Sequence, residues 1–268
     1  MRTKKFHVRS FDLPDASIIR ERSAFGVRYS GFVAERAALL LQTRANRDGS
    51  PTAFKCDAET PNIERRTMNA QIDRSFFETD PLTCAHSLIG CELVWGQTAG
   101  LIVETEAYAE HGDQASHTFL RRGTREFIEI NPPGTLYIYL NYGVHWLLNF
   151  LVKGGRANGF VLIRALEPTN GCHLMAQRRG ISQIRSFCSG PGKLTQALSI
   201  HHEFHGQDFF AISHAKLLNR RQGVSIEVDR RVGITKSVEF DWRFLLAGSV
   251  FVSRAKKKNP PQSQLRRV

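Results

Sequence analysis

The sequence predicts a mixed α/β fold. Strand-forming runs come in pairs separated by turn-forming residues, 91–95 with 101–108 and 135–140 with 144–152, as in antiparallel hairpins. Between and after them lie segments that carry helix start and stop signals. Size bounds the architecture: 268 residues, 41% of them hydrophobic, allow a sizeable core in one large domain or one domain plus a tail.

Residues 1–70 differ from the rest. They hold thirteen Lys and Arg against eight Asp and Glu, which leaves 24 against 17 for the remainder, so the basic character does not come from this region alone. The segment VAERAALLLQTRA at 33–45 has helical potential, and NRDGSPT beyond it is turn-rich. The region is read as a loosely ordered extension. A compact pattern begins near Asp73 and defines a domain over 71–253. Asp80-Pro81 is a helix start, with Asp as N-cap and Pro at the first helical position. Leu82, Ala85 and Ile89 then share a face, and Gly90 supplies a stop.

The strands at 91–95 and 101–108 are joined through Gly96 to Gly100. The second opens the stretch LIVETEAYAEHGDQASH, 101–117. Alternate side chains of a strand share a face, so Glu104, Glu106 and Tyr108 project together. Two readings fit: a site for acid–base chemistry, or an edge strand with a solvated acidic face. The following LRRGTRE is read as a basic loop. TLYIYL, 135–140, is strongly β-forming, and Asn141-Tyr142-Gly143 is a tight turn that puts Tyr142 at or near a hairpin tip. Tyrosine is unusual there, because turns prefer Gly, Asn, Asp and Pro. The other reading shifts the turn by two residues and packs Tyr142 in the core.

FVLIRAL, 160–166, is nearly continuously apolar, as central strands are. An isolated buried charge is costly, so Arg164 is expected to meet Glu106 or Glu104; otherwise it snorkels out at a sheet edge. Residues 170–179 and 193–199 read as helices, the second after Ser189-Gly190-Pro191-Gly192. Residues 244–253 read as a last strand interrupted at Gly248-Ser249. The tail 254–268 has six basic residues and no acidic one and is expected to be disordered.

A net charge of +12 suggests a polyanionic partner, nucleic acid first and an anionic membrane second. No apolar run approaches the roughly 18 residues of a membrane span. The first residues lack the apolar segment of a secretory signal, and early acids argue against a transit peptide, so an intracellular protein is expected. Five cysteines without a CxxC pair fit free thiols in a reducing compartment better than a disulfide framework or zinc cluster. SGPGK at 189–193 fails as a P-loop, because Phe187 and Leu194 stand where Gly and Ser or Thr are required. HHEFH at 201–205 is one residue short of HExxH, so a solvated surface patch is expected there and not a metal site.

The segments DRSFFETDPLTCAHSLIGCELV, IVETEAYAEHGDQASH, PGTLYIYLNYGVHWLLN, VLIRALEP and SGPGKLTQAL, with the late Gly248-Ser249, carry a resemblance. In this order they resemble the 3-methyladenine DNA glycosylase family, of the alkyladenine (methylpurine) type. The resemblance implies one mixed α/β domain in which helices surround a curved antiparallel sheet with a protruding hairpin. It implies a monomer without cofactor or metal that acts on double-stranded DNA and hydrolyses the N-glycosidic bond of alkylated or deaminated purines. By the same resemblance Glu106 is the general base, with Arg164 beside it and the attacking water. Tyr108, His117 and Tyr139 stack on the flipped base, Asn149 screens bases at the pocket floor, and Tyr142 intercalates. Arg125, Lys193 and Ser249 contact the DNA backbone.

The sequence departs from the family pattern at Glu126 and at Glu129-Ile130, where carboxylates in a DNA-facing loop oppose phosphate. Two rivals stay open. Glu104 and Glu106, roughly 6.6 Å apart along a strand, approach the spacing of an inverting carbohydrase. A decayed scaffold that binds nucleic acid without catalysis is the other.

Overall fold

The computed structural model describes residues 70–220 and 223–253. The readings of the N-terminal extension and of the tail 254–268 fall outside the described residues. Chain order is α1 (Pro81–Leu88), β1 (Glu92–Trp95), β2 (Thr98–Ala109), α2 (His117–Leu120), α3 (Arg122–Ile130), β3 (Leu136–Asn141), β4 (His145–Val152), β5 (Gly159–Asn170), α4 (Cys172–Arg179), α5 (Pro191–Leu198), β6 (Ala215–Leu218), β7 (Ile226–Asp229) and β8 (Arg243–Leu246).

The strands form one open antiparallel sheet in the order β3-β4-β5-β2-β1-β6, with β8 beside β2 and β7 beyond it. The expectation of a mixed α/β domain with an antiparallel sheet is therefore met. The first half of β2 pairs with β1, and its second half pairs with β8, Glu104 to Glu106 lying opposite Leu245 to Arg243. Strand β5 runs along the other side of β2. The acidic stretch thus lies inside the sheet, and the reading of a solvated edge strand is overturned. Pairing with β5 slips around Glu104, a bulge of the kind that bends a strand and re-aims its side chains.

The two faces of the sheet differ. One carries the main core: Ile102 and Ala107 of β2, Val161 and Ile163 of β5, and Leu148 and Phe150 of β4 pack with α1, α4 and α5. The other carries a small aromatic cluster in which Tyr137, Leu151 and Phe160 pack with Ile128 of α3. Glu104, Glu106, Tyr108, Asn149 and Arg164 alternate with the main-core residues and so face the second side.

Local chemistry sets the helix starts. The Asp80 carboxylate accepts from the backbone N–H of Leu82 (3.0 Å) and Thr83 (3.1 Å), with Pro81 at the first position of α1. Helix α5 starts at Pro191, two residues before the expected start, and α4 starts at Cys172 because Asn170 still pairs with Ala99 in the sheet. The β1–β2 turn is only Gly96-Gln97, with Gly96 at φ 58°, so β2 begins at Thr98.

The expected basic loop at 120–126 is instead the end of α2 and the start of α3. The Ser116 hydroxyl caps α2, and Ile128 anchors α3 on Tyr137 and Phe160, which outweighs Gly123. The last strand stops at Leu246, and Gly248 at φ 72° turns the chain away. Strands β6 and β7 have no clear sequence signal; four residues each, they are shorter than a pattern reader resolves. Cys84, Cys91 and Cys188 are free and buried. In 201–205, His202 stacks on Trp146 and His205 Nδ1 accepts the Ile138 N–H. Among the described residues no helix is long and apolar enough to cross a membrane.

Candidate active site

The strand registers align Tyr137, Asn149, Leu162, Glu106 and Arg243 in one row across β3, β4, β5, β2 and β8. Over this row opens a pocket of about 610 Å³. Tyr108, His117, Tyr139, Asn149 and Arg164 line it, and Tyr142 stands at its edge.

Glu106 is completely buried behind that lining. Its Oε2 accepts from the Tyr108 hydroxyl (2.8 Å) and Arg164 Nη1 (3.1 Å), and its Oε1 accepts from the Val232 N–H (2.6 Å). All three donor residues line the pocket. Burial raises the Glu106 carboxyl above its ordinary 4.5, while Arg164, Val232 and Tyr108 pull it back and Glu104 pushes it further up.

Arg164 is 7% exposed and meets both expected carboxylates, Glu106 and, through Nε, Glu104 Oε1 (3.0 Å). Its Nη2 donates to the Ser253 hydroxyl (3.2 Å). The snorkelling alternative does not hold. Glu104 is tied further by Arg243 Nε (2.7 Å) and by the Ser253 hydroxyl (2.8 Å) and N–H. Of the two carboxylates, Glu104 is the more heavily tied.

Tyr108 is braced from behind. The Arg231 guanidinium lies 4.7 Å from its ring centroid, itself held by both oxygens of Asp113 at 2.6 and 2.8 Å. Burial pushes the Tyr108 phenol well above its ordinary value, with Glu106 adding to the rise. His117 and Tyr139 line the same pocket, their ring centroids 4.4 Å apart. Burial holds the His117 imidazole down to about 4, with Arg121 adding to the effect, and takes the Tyr139 phenol up to about 12. His117 is therefore neutral at physiological pH, and both phenols keep their protons. The Asn149 amide donates to the carbonyls of Tyr137 (3.0 Å) and Leu147 (3.4 Å), which spends both its hydrogens on β-strand backbone.

Tyr142 is 85% exposed at the β3–β4 tip with φ 50°, so the core alternative for it does not hold. A non-glycine residue at positive φ is strained and is worth a functional question. Leu140 and Val144 beside it are exposed too. The remaining expected residues are spread out. Lys193, at the open start of α5, lines the pocket and reaches the Ser189 hydroxyl (3.3 Å). Arg125 donates to the Thr118 carbonyl and Ser249 accepts the Phe251 N–H (3.3 Å); neither lines the pocket. Glu126 and Glu129 are exposed, the former paired with Arg122 at 2.8 Å.

Sequence reasoning missed Asp113, Tyr137, Arg231, Val232, Arg243 and Ser253. Arg231 and Asp113 are 118 residues apart and belong to no recognised pattern. A second lysine besides Lys193 lines the pocket, Lys236.

Comparison with known proteins gives a consistent result. Residues 75–250 match the model of the family described as methylpurine-DNA glycosylase. A protein of Agrobacterium fabrum named "Putative 3-methyladenine DNA glycosylase" is 42% identical over 197 residues, covering 74% of this chain and 98% of its own. Proteins of the same name from Bradyrhizobium diazoefficiens (38% identical, 74% of this chain, 98% of their own) and Nitrosospira multiformis (42%, 66% and 91%) are also similar.

Proposed function

This chain belongs to the methylpurine-DNA glycosylase family, and from that premise we propose how its residues carry out the reaction. Membership makes it a DNA glycosylase of base excision repair, with DNA as its partner. The proposal is that an alkylated or deaminated purine is flipped from the duplex into the pocket and its N-glycosidic bond hydrolysed by a water that Glu106 activates. The observation that carries it is Glu106 itself, a buried carboxylate whose three donors all border a pocket of about 610 Å³. That volume is within the usual range of small-molecule sites.

A carboxylate offers about four acceptor positions, and three are filled, which leaves one for a water. Arg164 keeps the group ionised, and burial makes it a stronger base than an exposed glutamate. Attack at the anomeric carbon passes through an oxocarbenium-like transition state, as in glycoside cleavage. Alkylated purines such as 3- or 7-methylated ones are cations and good leaving groups. The neutral rings of Tyr108, His117 and Tyr139 suit a flat cationic base. Asn149 screens bases at the floor, where the guanine amino group meets a clash or an unpaired partner.

A base within the stack is out of reach, so it must be extruded, and Tyr142 fills the hole as a wedge. Arg125, Lys193 and Ser249 serve the DNA backbone, with Glu126 and Glu129 weakening that contact. Neither metal nor cofactor enters the scheme, and the enzyme acts as a monomer. The tight engagement of Glu104 with Arg164, Arg243 and Ser253 speaks against a carbohydrase that uses both glutamates.

The test is excision from a panel of duplex oligonucleotides with one lesion each: 3-methyladenine, 7-methylguanine, hypoxanthine or ethenoadenine. At least one should yield an intact abasic strand. No release from any of them overturns the reading. Borohydride trapping separates mechanisms, because a Schiff base needs an amine and Lys193 and Lys236 line the pocket. The water mechanism predicts no trapped adduct.

A further inference from the structure

The loop that touches Glu106 continues along the pocket. It begins at Val232, whose N–H donates to Glu106 Oε1, and the lining includes every residue from there to Lys236. Its far end is pinned at Ser237. That residue stands at φ 49°, in the left-handed region that a non-glycine residue rarely adopts. The Ser237 hydroxyl accepts the Gln114 N–H (3.0 Å), and its carbonyl accepts from Arg231 Nη2 (3.3 Å). Gln114 is itself a lining residue. A loop fixed at both ends holds Lys236 to the pocket rim.

The rim carries positive charge that nothing neutralises. Among the described residues the lining holds no carboxylate, and its cations are Arg164, Lys193 and Lys236. Arg164 is committed to Glu104 and Glu106, and Lys193 reaches the Ser189 hydroxyl. Lys236 is exposed and, among the described residues, forms no ion pair. A nucleotide turned into this pocket supplies the missing anions. Its base enters, while its sugar and the phosphates on either side stay at the mouth, where an exposed ammonium meets them.

We propose that Lys236 binds a phosphate directly flanking the flipped nucleotide. The loop that donates to Glu106 at one end then grips the DNA at the other. This deepens the reading of the pocket as a base site and rests on it. Lysine acts on phosphate as a point charge, so arginine can replace it and alanine cannot.

The experiment measures binding of the intact protein to a duplex with one tetrahydrofuran abasic site, over a range of salt concentrations. Each phosphate flanking that site is replaced in turn by an uncharged methylphosphonate. Lys236→Ala should reduce the steepness of log affinity against log salt by about 0.9, the loss of one phosphate contact, and Lys236→Arg should restore it. Wild type should lose affinity when one of the flanking linkages is neutral, and Lys236→Ala should not lose it again there. The melting temperature should not move, because the side chain is exposed. An unchanged salt slope in Lys236→Ala overturns the proposal. So does a methylphosphonate penalty that is as large in the variant as in wild type at both linkages. Faster excision of 7-methylguanine by Lys236→Ala at an unchanged slope would make Lys236 a charge that repels cationic bases, and overturns it as well. Wild type that binds the duplex but excises no lesion counts against the glycosylase mechanism only, and the methylphosphonate comparison still decides the phosphate contact.

Discussion

Two buried arginines stand near Tyr108 and do different things: Arg231 lies over its ring, and Arg164 shares with its hydroxyl the acceptor Glu106 Oε2. Arg231 meets one carboxylate, Asp113, through two nitrogens and two oxygens, with both side chains fully shielded. Further donations to the carbonyls of Ala107 and Ser237 tie Arg231 to its surroundings, Asp113 also accepts from the N–H of Ala109 and Ala115, and neither group borders the pocket. Arg164 meets two carboxylates and borders the pocket. There Glu106 is buried and accepts three hydrogen bonds, one fewer than the about four a carboxylate can take. A closed pair resists change, whereas an open one keeps a charge poised for chemistry. Breaking each should therefore damage a different property.

The largest expected effect is at the open site. Glu106→Gln should reduce single-turnover excision on the order of 10²–10⁴, with lesion binding largely intact. A variant within about threefold of wild type would remove Glu106 as the base. At the closed pair, Asp113→Ala strands a buried guanidinium, and denaturant unfolding should report a loss of about 3–5 kcal/mol. An unchanged midpoint would mean that Asp113 and Arg231 do not brace the pocket wall.

A third site sharpens the contrast because, among the described residues, its side chain is the most exposed of the large hydrophobics. Tyr142 is exposed and held at φ 50°. Tyr142→Ala should leave stability within about 0.5 kcal/mol. It should lower excision of well-paired lesions roughly tenfold, and of mismatched lesions less, since unstacking costs a few kcal/mol and least for a damaged or mismatched base. A large fall in melting temperature with unchanged excision would refute the wedge.

These differences follow how much of the molecule its sequence reveals. Period-two alternation in VETEAY put Glu104, Glu106 and Tyr108 on one face, and the lone arginine of FVLIRAL required a carboxylate. Both are local signals, and both describe the open site. The closed pair carries no such signal. Asp113 sits in a turn-like HGD, and Arg231 stands in a second arginine-rich stretch that reads as surface until the fold joins them. The aromatic face was also hidden, because Tyr137 looks like any β-former until α3 brings Thr124 to its hydroxyl. α3 itself was read as a loop, since its apolar anchor, Ile128, gains meaning only from Phe160 and Tyr137 across the sheet.

The smallest effect expected is on the pH dependence of stability, and it has a sign. Burial raises the Glu106 carboxyl above 4.5, so the folded state holds that proton more tightly than the unfolded chain does. The stability this contributes is complete below about 4.5, the unfolded value, and is lost as pH rises through the raised folded value. The raw profile will not display it, because His117, lowered from 6.5 to about 4, acts in an overlapping window. Its contribution is present above 6.5 and lost as pH falls toward 4, the opposite slope. Subtraction separates the two: the unfolding free energy of wild type minus that of Glu106→Gln cancels His117 and should decline with rising pH above about 4.5, then level off. Activity should run the other way in wild type. kcat/KM for a cationic lesion should climb through the same interval, since the base works only when ionised. A flat or rising difference curve would mean that Arg164, Val232 and Tyr108 outweigh burial. Glu106 would then be a second closed pair, and the distinction between the two arginines would collapse.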